Sequence, residues 1–414
     1  MTKTKNPYSI TVFTCYLAYV VQAATLNFLP LLFYFFNTKY DISLGEISLL
    51  VSINFVTQIL SDLISVKLMD KIGYRAGAVA ANVFALLGFV ALAILPDVLP
   101  VPYVGLCISI CLCSVGSGLL EVIIGPIVEA CPIEGNKEMH MSMLHSAYSW
   151  GSVIVVLGST LFFAIFGVEA WPVMAILWGI VPAVVTVLFS KVPIRTLAES
   201  GKGGMTVRQI IKAPVFWALV LTMLCAGASE MAVAQWASSF AEAGLGVSKT
   251  VGDLAGPMMF AVMMGLVRTL YGMFGDKIRM EKFLIYSGLL CVASYLMITL
   301  TSSPVVGLIG CALCGVAVAA MWPGTCSIAI GTITKGGTAL FSMLAIFGDI
   351  GCISGPGLVG FVSDAASGNL KVGILSAVIF PVGLLVGVIG ISLSKRKRDK
   401  KTASSANDDA ASLS

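Results

Sequence analysis

Long apolar runs, broken at short intervals by a few polar residues, set the rhythm of this chain. A helix needs about 20 predominantly apolar residues to cross a bilayer. That ruler finds stretches near residues 8–36, 46–69, 74–96, 103–130, 139–166, 170–190, 215–242, 250–273, 282–301, 304–332, 338–363 and 371–394. The pattern predicts an all-α membrane protein of twelve transmembrane helices, many joined by connections so short that neighbours must be antiparallel. The longest polar interruption, KVPIRTLAESGKGGMTVRQIIKAP from Lys191 to Pro214, divides six spans from six. The expected organisation is therefore a six-helix bundle over 1–190, a linker with a short amphipathic helix over 191–214, a second six-helix bundle over 215–394, and a tail over 395–414.

Composition agrees: 58% of the 414 residues are hydrophobic, 11% are charged, and the mean hydropathy is +0.97. Soluble domains are about a quarter charged. Positive charge orients such a bundle. With the N-terminus inside, 21 of the 25 Lys and Arg residues fall on inner segments, and only Lys39, Lys249 and Lys371 on outer ones; Arg268 lies within a span. Both termini are expected in the cytoplasm, with the protein multi-pass in a cell membrane, inner or plasma. Met1 to Ile10 is polar and the run after it is too long for an h-region, so no cleavable signal peptide is expected. The basic KRKRDKK after the last span reads as an anchor to anionic lipid rather than a nucleic-acid patch. Lipid is the expected partner, and a monomer fits twelve spans. Of eleven cysteines, ten lie in apolar runs, where Cys behaves as a small hydrophobe. The CxxC of Cys311 and Cys314 lacks a second pair or a histidine, so no metal site is expected.

The two halves echo each other. SDLISVKLMDKIG (Ser61–Gly73) ends the second span and VRTLYGMFGDKIR (Val267–Arg279) ends the eighth; aligning Asp70 with Asp276 superposes DKI on DKI and sets Asp62 opposite Arg268. Both segments resemble the loop signature GxLaDRxGRR of the major facilitator superfamily. Gly73 and Arg75 fit it in the first half, Gly272, Asp276 and Lys277 in the second; Val66 and Arg279 stand where glycines are usual. The resemblance implies two pseudo-symmetric six-helix bundles around a central path. It also implies that Asp70, Lys71, Arg75, Asp276 and Lys277 gate the cytoplasmic side, and that spans two and eight meet across the interface. GSGLLEVIIGP in span four, LHSAYSWG in span five, GASEMAVAQW in span seven and IFGDIGCISGPGLVGFVSD in span eleven are similar to the fucose permease-like branch of that superfamily. Proton-coupled fucose permeases carry an Asp in helix one, four residues before a proline; here that position is Leu26, before Pro30. Their paired-acid coupling is not implied whole.

Charges inside the spans carry the candidate chemistry. A charged group at the bilayer centre costs on the order of 2.5–3.5 kcal/mol, so Asp62, Glu121, Glu230, Arg268 and Asp349 must face the interior. Ser114, Gly118, Glu121 and Gly125 share one helical face, with Pro126 able to bend the helix beside it. A carboxylate placed there can bind a proton and release it when the site opens to water, which a proton-coupled carrier needs; permanent hydrogen bonding to a neighbouring helix is the alternative. His145 is a candidate shuttle with its neighbour Tyr148. Glu230, Gln235 and Trp236 suit a sugar: carboxylate and amide bond hydroxyls, and indole covers the apolar ring face, unless Trp236 is an interfacial anchor or packing residue. Asn27, Trp322, Asp349 and Tyr148 are further lining candidates. Asp62 and Arg268, at matching positions, are assigned to gating, either paired across the cavity or acting separately.

These readings predict a secondary active transporter for a small polar solute, a sugar or sugar derivative, working by alternating access with proton coupling. Sodium coupling, an exporter of metabolites or drugs, and a non-transporting sensor are the alternatives. No GxxxxGK[ST] motif, catalytic cluster or metal-ligand set is present in the sequence, so neither an enzyme nor a cofactor is expected.

Overall fold

The structure, a computed structural model, describes residues 7–132, 137–194, 205, 207–274, 279–333 and 337–393, less the side chains of 65–71, 129, 137–142, 272–274, 330, 337–339, 341 and 342. Among the described residues are twelve helical segments long and apolar enough to cross a membrane, numbered here spans 1 to 12. They are Tyr8–Lys39, Leu44–Ile64, Ile72–Val98, Pro102–Val128, Met143–Phe166, Val168–Lys191, Pro214–Ala234, Lys249–Tyr271, Met280–Leu300, Pro304–Ala329, Met343–Ala365 and Leu370–Leu393. The sequence pattern placed all twelve; what it did not show is where they break.

Lipid offers no hydrogen bonds, so backbone groups must pair within the protein, and irregular backbone survives only where side chains or a cavity serve it. Span 1 runs as α-helix over Tyr8–Asn27, tightens into a 3₁₀ turn at Leu29–Leu32 around Pro30, and resumes over Phe33–Lys39. Span 10 breaks between Pro304–Val318 and Met321–Thr332, just ahead of Pro323. The seventh apolar run, expected as one helix over 215–242, stops at Ala234 and continues after Gln235 and Trp236 as a short helix and a π-turn, Phe240–Gly244. Pro126, where a bend was expected, lies inside a helix that continues from Pro102 to Ala130. Spans 2 and 3 join at Gly73, whose φ of 78° is left-handed backbone that glycine enters without steric cost.

The halves repeat one packing plan. Span 1 lies on span 5, span 2 on span 4 and span 3 on span 6, and the second half repeats this as 7 on 11, 8 on 10 and 9 on 12. Between halves, span 2 packs on span 11 and span 5 on span 8, pairs that a six-span offset exchanges. The expected meeting of spans 2 and 8 is thus replaced by these two crossed contacts. Close approach relies on small residues, as usual between membrane helices. A Cβ on Gly351 would collide with the Leu224 carbonyl, and one on Gly355 with that of Ala228, so spans 7 and 11 touch backbone to backbone.

Three lysines mark one end of the bundle. Lys39 pairs with Glu169 at 2.7 Å, Lys371 donates to the Thr301 carbonyl that ends span 9, and Lys249 opens span 8. At the other end, Arg75 donates to the carbonyls of Phe189, Ser190 and Val192, capping the end of span 6. These contacts lie inside the first half and hold span 3 to span 6.

Replacing Gly351 by Leu should force spans 7 and 11 apart and cost about 1–3 kcal/mol, seen as a lower melting temperature in detergent. Gly357→Ala, where a Cβ meets nothing within 4 Å, should not lower it; equal melting of the two variants would show that the seam does not require this approach.

Candidate functional site

Glu121 is half-buried on span 4, and its Oε2 accepts two amide hydrogen bonds. Gln58 Nε2 on span 2 donates at 2.6 Å and Gln22 Nε2 on span 1 at 3.2 Å. Both reach the same oxygen, which leaves Oε1 for a proton or a solute hydroxyl. One turn beyond Gln58, Asp62 packs its Oδ1 against the bare face of Gly118, where a side chain would leave it no room. Asp349, on span 11, belongs to the other half, is buried, and interacts electrostatically with Glu121 and Asp62. Asp62 Oδ1, Asp349 Oδ2 and Gln58 Oε1 have no hydrogen-bond partner among the described residues.

A second cluster forms where the halves cross. Arg268 on span 8 binds Glu230 on span 7, with Nη2 at 3.0 and 3.3 Å from the two carboxylate oxygens. Its Nη1 donates to Ser149 Oγ on span 5 at 3.2 Å. Its Nε donates to the Ala319 carbonyl at 3.0 Å, and that carbonyl is free because Pro323, four residues on, has no N–H. The Asp62–Arg268 pairing considered from the repeat is therefore replaced: Arg268 is engaged by Glu230, Ser149 and the break in span 10. Gln235 plays the corresponding part in span 1, its Nε2 lying 3.5 Å from the Leu26 carbonyl left free by Pro30.

Between these groups lies a narrow pocket lined from the first half by Asn27, Tyr148 and Ser152, and from the second by Glu230, Met231, Ala234, Pro257, Phe260, Ala261 and Met264. Asn27 Nδ2 donates to Ser152 Oγ at 3.1 Å, to Tyr148 Oη at 3.4 Å and to the Ala23 carbonyl at 2.9 Å. One wall thus offers amide and hydroxyl groups, the other a carboxylate above methionine and aromatic surface. This is the usual make-up of a small-molecule site: mostly apolar, with a few convergent polar groups.

Burial along the seam differs on the two sides of this pocket. Along one face of span 5, Thr160, Ser152 and Ser149 are buried, whereas His145, one turn further, is exposed and packs edge-on against Tyr19 at 5.9 Å. Trp150, also exposed, donates to Thr269 across the seam at 3.4 Å. At the end marked by the three lysines the halves touch directly: Ser48 donates to the Pro356 carbonyl at 3.3 Å, and the Phe33 and Trp236 rings lie 5.7 Å apart.

Of the expected lining residues, Asn27, Tyr148 and Glu230 meet at the pocket. Gln235 faces a separate, mainly apolar pocket beside Leu26 and Asn54. Trp236 is fully buried with its indole N–H on the Pro356 carbonyl at 3.1 Å, so here it packs the halves together and does not face a cavity. Trp322 lies against the backbone of Gly348, where no side chain would fit, next to Asp349. The Asp70 and Lys71 side chains, and Asp276 and Lys277 entirely, lie outside the described residues. Sequence reasoning missed Gln22, Gln58, Ser149 and Ser152. A signal existed for each: two long amides inside apolar runs, and two serines on the helical face of His145 and Tyr148.

No curated protein matches the sequence. Solved structures match over nearly the whole chain, at identities that speak to fold alone. The E. coli fucose:proton symporter FucP is 18% identical with a TM-score of 0.64, covering 92% of this chain and 98% of that one. A D-xylose-proton symporter is 13% identical with a TM-score of 0.74, covering 92% and 97%. A bacterial homolog to the human lysosomal transporter Spinster, inward-facing and occupied, is 13% identical with a TM-score of 0.70, covering 95% and 98%. The family model of the Major Facilitator Superfamily matches residues 11–356. With twelve spans in two repeated halves around a polar seam, the chain belongs to that superfamily of transporters.

Proposed function

We propose that this transporter moves a small, hydroxyl-rich polar solute, a sugar or sugar derivative, by alternating access and couples the movement to protons at Glu121. The observation that carries the reading is the pocket where Asn27, Tyr148 and Ser152 of one half face Glu230 of the other. A solute bridging the two walls would contact both halves at once, as alternating access about a central site requires. Arg268 is engaged through all three of its nitrogens. The Glu230 carboxylate is thereby charge-balanced and left as an acceptor, which favours a neutral polyhydroxylated solute over an anionic one. Fucose and xylose symporters share the fold, which supports the sugar class without naming the sugar.

Glu121 suits the coupling role because one oxygen is fixed by two amides while the group stays partly exposed. Sodium is the second reading, favoured by the unpartnered oxygens of Asp62, Asp349 and Gln58. Placement in the cell membrane with both termini cytoplasmic, acting as a monomer, completes the proposal. The distribution of 21 inner and 3 outer cations supports that orientation, which makes the end holding Lys39, Lys249 and Lys371 the outer one.

Purified protein in sealed proteoliposomes, challenged with neutral, acidic and amino sugars, should give a proton current for a neutral sugar. Glu121→Gln should abolish gradient-driven accumulation while counterflow survives, because exchange need not release the proton. Normal accumulation in that variant would remove Glu121 from coupling, and a current that follows sodium rather than protons would favour the second reading.

Glu230→Gln should leave the Arg268 guanidinium without its counter-charge, costing about 3 kcal/mol of stability by the precedent of buried ion pairs. Pairing it with Arg268→Met should recover much of the melting temperature and none of the solute binding. Equal melting of single and double variants would show that the two side chains are not coupled.

A further inference from the structure

Asp253 is a fully buried carboxylate in the first turns of span 8 and does not line the central pocket. Its Oδ1 accepts from Ser238 Oγ at 2.5 Å, and its Oδ2 lies 3.1 Å from Lys249 Nζ. Lys249 also pairs with Glu242 at 3.2 Å. All four residues belong to the second half. Two further contacts leave that half: Thr160 on span 5 donates to Asp253 Oδ2 at 3.3 Å, and Lys249 donates to the Leu31 carbonyl of span 1 at 2.5 Å. The ammonium also lies 5.8 Å from the centre of the Phe163 ring, again in the first half.

The division of these bonds is informative. A buried ion pair is costly to break, because each stranded charge must be rehydrated. Here every ion pair is internal to the second half. Across the seam this cluster reaches only a neutral hydroxyl, a neutral carbonyl and the Phe163 ring. Parting the halves at this end would break these two hydrogen bonds and the approach to Phe163, along with the Ser48–Pro356 and Phe33–Trp236 contacts, and leave Lys249, Asp253, Glu242 and Ser238 mutually satisfied. The charged cluster can therefore travel intact with its own half.

We infer that Asp253 and Lys249 form the latch of the outer gate, holding the path shut through Thr160 and the Leu31 carbonyl and releasing both to admit solute. The latch closes the seam on the side opposite the exposed His145. The Glu230 pocket lies between them: Ala234 and Pro257 line it, four residues from Ser238 and Asp253 respectively, so the latch begins about one turn from the pocket. This inference rests on the alternating-access part of the proposed function and on neither the sugar nor the proton.

Hydrogen–deuterium exchange of the full-length protein in lipid nanodiscs tests it without any solute. Thr160→Val removes the hydroxyl and keeps the side-chain shape. It should speed exchange in residues 28–40 and 240–256 by roughly three- to tenfold, the scale of one lost ordinary hydrogen bond. Residues 145–150 and 265–271 should become slower in the same sample as the opposite end closes. Thr160→Ser, which retains the hydroxyl, should behave like the unaltered protein. Faster exchange near Thr160 alone would mean local loosening and would overturn the latch, as would no change. If proteoliposomes show no sugar-driven current but the reciprocal shift is present, the sugar–proton reading fails and the latch stands.

Discussion

In a medium without water, a backbone carbonyl that loses its helical partner must find another, and this obligation shapes the transport path. Pro30 and Pro323 each free one carbonyl, at Leu26 and Ala319. The groups that come to them are Gln235 and Arg268, both from other spans. Arg268 in turn needs a counter-charge, which Glu230 supplies, and its remaining nitrogen reaches Ser149 across the seam. One missing N–H in span 10 thus fixes an arginine, the arginine fixes a glutamate, and the glutamate lines the pocket. The polar site is in part the means by which broken helices are satisfied.

The fold was legible because its two signals are strong: apolar runs long enough to span a bilayer, and a repeated DKI segment that reveals the halves. Glu121, Glu230, Arg268 and Asp349 were legible for the same reason, since an ionisable side chain in an apolar run must have a use. Pairing was not. Alignment of the repeat suggested Asp62 for Arg268, but the halves cross span 2 against span 11 and span 5 against span 8, which gives Arg268 a nearer acid on span 7. Trp236 shows the other limit. An indole beside Glu230 in sequence suggests a sugar platform, yet the break at Gln235 and Trp236 turns the ring onto Phe33 and the Pro356 carbonyl. Lys249 looked like an outer-loop charge, and nothing in its spacing disclosed that Asp253, one turn on, is fully buried beside it.

The charges of the path fall into three groups with different obligations. Arg268 and Glu230 neutralise each other at the crossing. Lys249 neutralises the outer acids. Glu121, Asp62 and Asp349 have no basic partner among the described residues, and in the proposed coupling a proton or a small cation compensates them. Two of these acids belong to the first half and one to the second. Their mutual repulsion when ionised therefore acts between the halves, and compensation removes it. In the proposed mechanism the energetics of coupling then lie at the same seam that opens and closes.

The break in the seventh run gives this arrangement its mechanical sense. A continuous helix from Pro214 to Gly244 would carry any tilt at the outer latch straight into the pocket. The interruption at Gln235 and Trp236 instead divides an inner segment, held backbone to backbone on span 11 by Gly351 and Gly355, from an outer segment that bears Ser238 and Glu242. Gln235 sits at that joint and bonds the joint of span 1, so the two breaks face each other across the halves. The outer segments can separate about these joints while Glu230 stays on Arg268. In the proposed cycle the solute site is then preserved while the gate at this end moves, and the crossings at Arg268–Ser149 and Trp150–Thr269 must change for the other side to close.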